Sequence, residues 1–147
     1  MEEKIEHIEG GIAIDDRGQI QFCNGFTFKD IRRFYIIFNH EAQFVRAWHG
    51  HKNETKYAFV VSGAAIVAAV KIDHWERPDK NAKMHRYVLS EKKPSILKIP
   101  GGFAHGFKTL TKDTKIIFFS TSTVEESLKD DYRFEAYYWN PWEILQR

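Results

Sequence analysis

The stretch Arg46-Ala47-Trp48-His49-Gly50-His51-Lys52 decides how the rest of this sequence is read. In an extended strand, side chains two apart point to the same side. His49 and His51 then project together, and a strand that presents His-x-His to an interior begins either a metal site or a proton-transfer site. Their neighbours decide between the two.

Outward from this stretch the pattern is all-β: short apolar or alternating runs separated by Gly, Asp, Asn and Pro. Ile12-Ala13-Ile14 is a short strand closed by the turn Asp15-Asp16-Arg17-Gly18. Residues 19–25 alternate as a second strand, and residues 27–31 are a helical turn or a loop. Arg33 to Phe38 is a strand with Phe34, Ile36 and Phe38 on one face and Tyr35 and Ile37 on the other. Lys56 to Val61 and Ala64 to Ile72 flank Ser62-Gly63 as a hairpin. The alanines at 64, 65, 68 and 69 suit a helix by propensity, but the β-branched Ile66, Val67, Val70 and Ile72 and the flanking strands favour a strand. Asp73 to Lys83 is a charged loop. Strands follow at 85–89, 95–99, 104–110 and 115–121, with Pro100-Gly101-Gly102 a tight turn. Thr123 and Glu126 form a capping box over one helical turn. The aromatic tail, Tyr132 to Trp142, reads as a lid on the core or a subunit contact. About ten short strands imply a jelly-roll barrel or sandwich, in one domain over 1–147 with its core at 12–121 and the tail at 122–147.

At 147 residues the chain is long enough to bury a core. Its net charge of +2 is too small and scattered for nucleic acid but suits an anionic small ligand. The lone Cys23 forms no internal disulfide, which points to a reducing compartment. The polar N-terminus lacks a signal-peptide pattern, and the longest apolar run, 57–70, is short for a bilayer and broken by Ser62-Gly63. A cytoplasmic protein with no membrane contact is expected.

The spacing His49-x-His51, four residues, Lys56, six residues, Gly63 resembles the first cupin motif, with lysine at the usual glutamate position. Pro100-Gly101-Gly102-Phe103-Ala104-His105 resembles the second, Pro-x-Gly-x-x-His. The resemblance covers residues 30 to 121 and implies a cupin jelly-roll. Metal-binding cupins place ligands at the positions of His49, His51, Lys56 and His105. An ammonium at position 56 repels a divalent cation where a carboxylate would neutralise it, so no metal and no other cofactor is expected.

Two closer resemblances account for the lysine. Arg32-Arg33-Phe34-Tyr35-Ile36-Ile37 and Val45 to Lys52 are similar to the metal-independent 3,4-ketoisomerases of dTDP-4-keto-6-deoxyglucose. Ile99 to Phe107, Asp16-Arg17-Gly18 and Lys56 are similar to the dTDP-4-dehydrorhamnose 3,5-epimerases. Both families remove a proton beside the sugar's C4 ketone and return it elsewhere. The resemblance implies His49 as base, His51 as its partner or a second proton carrier, Lys56 as oxyanion stabiliser and Tyr35 as acid or orienter. Arg17, Arg46, Arg33 and His105 would hold the substrate, a dTDP-hexose. Strict alternation puts Arg46 opposite His49, so it reaches the ligand only through a bulge. Two features depart from the 3,5-epimerases. The strand Ile116-Ile117-Phe118-Phe119 lacks their catalytic tyrosine, and their chain continues to an aspartate that pairs with the base, whereas this sequence stops at Arg147. The alternatives are a metal-dependent cupin enzyme using His49, His51 and His105, and a non-catalytic nucleotide-sugar-binding cupin. Such cupins often pair, and a homodimer is expected.

Overall fold

The computed structural model describes residues 3–147. In chain order its strands are β1 (Glu6–Glu9), β2 (Gly11–Asp15), β3 (Gly18–Phe22), β4 (Arg33–Phe38), β5 (Val45–His51) and β6 (Lys56–Ser62). They continue as β7 (Ala64–Lys71), β8 (Met84–Ser90), β9 (Ser95–Ile99), β10 (Phe103–Thr109) and β11 (Lys115–Ser120). A short helix, α1 (Val124–Leu128), and a two-residue strand, β12 (Tyr132–Arg133), complete the chain. Two five-stranded antiparallel sheets form, ordered β1-β9-β6-β11-β4 and β12-β5-β10-β7-β8, with β2-β3 a separate hairpin. This is the all-β jelly-roll expected of a cupin.

Strand β7 explains the arrangement of the core. Ala65, Val67 and Ala69 face the first sheet and join Ala58, Val60, Leu97, Ile99, Phe107, Ile116 and Phe118 between the two sheets. Ile66, Ala68 and Val70 face outward, yet they are buried as well, with Trp48, Ala104, Trp139 and Trp142. A strand covered on both faces has no polar side to show, so its sequence loses the alternation that marks an ordinary strand. The aromatic tail is what covers that outer face: Trp139 and Trp142 are buried on it, and Trp48 meets both rings edge-on or tilted at 5.3 and 5.1 Å.

The Ser62-Gly63 hairpin turns at a Gly63 φ of 78°, where a side chain would also strike Thr111 and Thr114. The capping box at Thr123 and Glu126 is present with both of its hydrogen bonds. Residues 27–31 form turns and loop without a helix. Strands β1 and β12 were not legible. β1 has a single inward apolar residue, Ile8, and is recruited by pairing with β9; β12 is too short to carry a period.

Candidate active site

At the inner face of β5, the cavity is built on a register irregularity. His49 pairs with His105 of β10, and Arg46 pairs with Phe107, so β5 spends three residues where β10 spends two. The extra residue is a bulge. It sends Ala47 and Trp48 both toward the outer cluster and returns Arg46 to the side of His49. Gly106 lies opposite the bulge, where a Cβ would come within 2.3 Å of the Ala47 Cβ. Arg46 is then held by Asn39, whose Oδ1 accepts from its Nε at 2.8 Å.

A cavity of about 330 Å³ opens between the sheets. Its walls include His49 and His51 of β5, His105 of β10, Lys56 of β6, Tyr35 of β4 and Arg46. The sequence-derived site residues brought together are therefore His49, His51, Lys56, Tyr35, Arg46 and His105. Arg33 lies behind the wall, its guanidinium bonded to Glu54 at 3.2 Å and to the Ser122 carbonyl. Arg17 is elsewhere, exposed in the β2-β3 turn and paired with Asp15 at 2.5 Å.

The three imidazoles differ in their surroundings. Burial, then the neighbouring Arg133, bring His49 down to about 4, with Asp131 pulling the other way and His51 and Lys56 adding to the fall. His49 is thus neutral at working pH, which a base requires. His105 is held well below the usual histidine value, first by burial and then by Lys56 and the two other histidines. Among the described residues its Nε2 has no hydrogen-bond partner. His51 donates its Nδ1–H to the Asp130 carbonyl at 2.6 Å, which leaves Nε2 as its other ring nitrogen.

Facing them, the Lys56 ammonium donates to the Tyr35 hydroxyl at 2.5 Å. Burial lowers Lys56 below the usual lysine value, while Glu54 counters it. Burial also raises the Tyr35 phenol, so it keeps its proton. With its oxygen accepting from an ammonium, Tyr35 has its own O–H left to give, and a phenolate formed there would meet a positive charge. The neutral His49 imidazole on one wall and a charged donor with a phenol on another can remove a proton, stabilise an oxyanion and return a proton.

The cavity also uses a segment that the sequence reading left out. After α1 the chain returns beside β5, pairing Arg133 with His49 and Tyr132 with Gly50. Ser127, Leu128, Asp131 and Arg133 close this side of the cavity. Glu54 and Asp130 were also missed, although Glu54-x-Lys56 has the two-residue spacing that places both on one side of an extended chain. As for a metal, the position where cupins carry a ligating carboxylate holds the Lys56 ammonium, which does not fit a cation-binding set. Among the described residues no group of three His, Cys, Asp or Glu is arranged to hold a metal ion.

The family model for dTDP-4-dehydrorhamnose 3,5-epimerase matches residues 14–136. The chain belongs to the dTDP-4-dehydrorhamnose 3,5-epimerase family. A Bacillus subtilis (strain 168) protein, the spore coat polysaccharide biosynthesis protein SpsL, is 29% identical over 100 residues, covering 67% of this chain. The match spans only 61% of that relative's length. The dTDP-4-dehydrorhamnose 3,5-epimerase of Bacillus anthracis, solved with TDP and PPi bound, superposes with a TM-score of 0.76. It is 23% identical, over 97% of this chain and 86% of that one. A double mutant of the QdtA 3,4-ketoisomerase from Thermoanaerobacterium thermosaccharolyticum, in complex with TDP, has a TM-score of 0.69 at 19% identity, over 94% and 93%. Both show the shared fold.

Strand β11 carries Ile116-Ile117-Phe118-Phe119, and of these Phe118 lines the cavity without a hydroxyl. A phenol stands on the neighbouring strand β4. Tyr35 is the cross-strand partner of Phe118 and stacks on it, with ring centroids 5.5 Å apart. Asp131 also lines the cavity and acts on His49, opposing the fall in its pKa.

Proposed function

We propose that this chain is a metal-independent isomerase of a dTDP-linked 4-keto-6-deoxyhexose. It takes a proton from the carbon beside the ketone and returns it, as 3,4-ketoisomerases and 3,5-epimerases do. The observation that carries this reading is the Lys56–Tyr35 pair set across one cavity from the neutral His49. His49 removes the proton, Lys56 stabilises the enolate oxygen and Tyr35 supplies a proton. His51 is the second carrier when the proton returns to the adjoining carbon. Arg46 and His105 hold the substrate, joined by Arg133. The stretch Ile116-Ile117-Phe118-Phe119, without a hydroxyl, favours 3,4-ketoisomerisation over 3,5-epimerisation.

Turnover of dTDP-4-keto-6-deoxyglucose in D₂O is expected to place deuterium on a carbon next to the ketone, and product NMR separates ketoisomer from epimer. No exchange with any of several nucleotide sugars would overturn the reading, and a His49→Ala variant with full activity would remove its base.

The same proposal includes a homodimer in the cytoplasm. β4 is an edge strand, and its outer residues Phe34, Ile36 and Phe38 are 61%, 52% and 62% exposed. The β2-β3 hairpin adds exposed Ile14 and Ile20. Exposed apolar residues on an open edge strand suit a second copy. Sedimentation velocity tests the dimer directly. For location, Cys23 is a free thiol and no helix among the described residues is long and apolar enough to cross a membrane.

A further inference from the structure

One buried carboxylate is unused by the chemistry above. Glu54 sits in the crossover between β5 and β6, and its side chain is fully buried. Its Oε2 meets Lys56 Nζ at 3.4 Å and Arg33 Nη2 at 3.2 Å, and it accepts from the Ser120 hydroxyl. Its Oε1 accepts from Ser127 Oγ at 2.8 Å and lies 3.4 Å from His51 Nδ1. The Glu54 carboxylate is absent from the cavity wall, while His51, Lys56 and Ser127 are part of it.

The crossover itself is fixed. Asp130 accepts from three successive backbone N–H groups, those of Lys52, Asn53 and Glu54, at 2.6, 2.9 and 3.0 Å. The same residue's carbonyl takes His51 Nδ1. The carboxylate is therefore delivered to one place, behind two groups that face the substrate.

We propose that Glu54 is a positioning residue of this site: beside the Asp130 carbonyl that holds His51 Nδ1, it serves as the shared charge partner of His51 and Lys56. The inference rests on reading the cavity as a proton-transfer site and names the group that couples its two halves. When Nε2 of His51 takes a proton, the carboxylate near Nδ1 stabilises the imidazolium. When the enolate oxygen forms, the Lys56 charge that Glu54 sustains is in place to meet it.

The charges around Lys56 make Glu54 the decisive one. β4 contributes Arg33 and Tyr35, β5 contributes His49 and His51, and β10 contributes His105. The returning C-terminal segment contributes Asp131. Burial and Arg33 push the ammonium toward neutrality, and Glu54 is the first of the groups that oppose them. Burial alone would raise the Glu54 carboxyl, but Lys56, Ser120, Ser127 and His51 outweigh it and hold Glu54 ionised.

The test uses Glu54→Gln, which keeps the shape and an accepting oxygen but removes the charge, together with Glu54→Asp. ¹⁵N NMR of the lysine ammonium, on protein without ligand, follows Lys56 as pH rises. Glu54→Gln is expected to move Lys56 deprotonation down by about one pH unit or more. With dTDP-4-keto-6-deoxyglucose, kcat is expected to fall about 100-fold while KM stays within about twofold. Glu54→Asp, which keeps the charge, is expected to restore the Lys56 titration and part of kcat. An unchanged Lys56 titration, an unchanged kcat, or a loss confined to KM would overturn the proposal. If Glu54→Gln does not fold, the wild-type spectrum decides, because a Lys56 already neutral at pH 7 is incompatible with a carboxylate that sustains its charge. Absence of any deuterium exchange by the wild-type protein would instead sink the isomerase reading, and the ligand-free titration would still decide the hold of Glu54 on Lys56.

Discussion

Three imidazoles, one ammonium and one phenol share a cavity of about 330 Å³, and their protonation follows from what stands behind each. Burial, then Arg133, hold the pKa of the His49 imidazole down to about 4, so it is neutral near pH 7. That carries a stability consequence. In the unfolded chain the imidazole titrates at its ordinary value of roughly 6.5, so between there and about 4 the unfolded state binds more protons. Stability conferred by neutral His49 is present above that window and is lost as pH falls through it, with His105 acting in the same direction. Urea denaturation at pH 7 and pH 4.5 is expected to show a lower midpoint in acid. His49→Asn, which cannot take up the proton, should narrow the difference; an equal loss in the variant would refute this cause.

Among the strands, β5 does most to shape the site, and its bulge is the means. Without the extra residue, Arg46 would fall on the outer face with Trp48, and the cavity would lose a guanidinium. The bulge depends on Gly106, since even a methyl group there meets Ala47. Gly106→Ala is expected to destabilise the protein by about 1–3 kcal/mol through overpacking. It should also weaken substrate binding by displacing Arg46, seen as a raised KM with a smaller effect on kcat. A variant as stable as wild type, with unaltered KM, would show that the β5-β10 pairing absorbs the methyl group. The short α1 works similarly at a distance. Its capping box fixes the start of the segment that brings Ser127 to Glu54 and Arg133 to His49.

In the molecule as a whole, two cores share one sheet. The inner one lines the cavity, and the outer one is closed by the aromatic tail. Trp142 is buried against Trp48, whose neighbour His49 faces the cavity, so the tail supports the site from behind. Trp142→Ala is expected to cost about 3–5 kcal/mol, measured by urea unfolding. Much of this architecture was legible in the sequence. Turn residues and alternation marked the boundaries of β4, β6, β8 and β9, and the two His-containing motifs located β5 and β10. Those signals are local, set by φ/ψ preference and by which face of a strand is apolar. Lys56 was legible as a cation in place of a ligand for the same reason: its position in the motif is a matter of spacing. Four things depended on tertiary structure. The bulge that turns Arg46 inward follows from pairing between β5 and β10, which no single strand encodes. The role of Glu54 follows from a chain crossover pinned by Asp130, 76 residues away. Arg133 and Asp131 reach the cavity because the chain returns to β5, and Arg17 does not reach it because its hairpin stands apart. Sequence determined which residue types the strands carry and which side they face; contacts between distant segments decided which charges stand behind them, because electrostatic environment belongs to a place in space and not to a position in the chain.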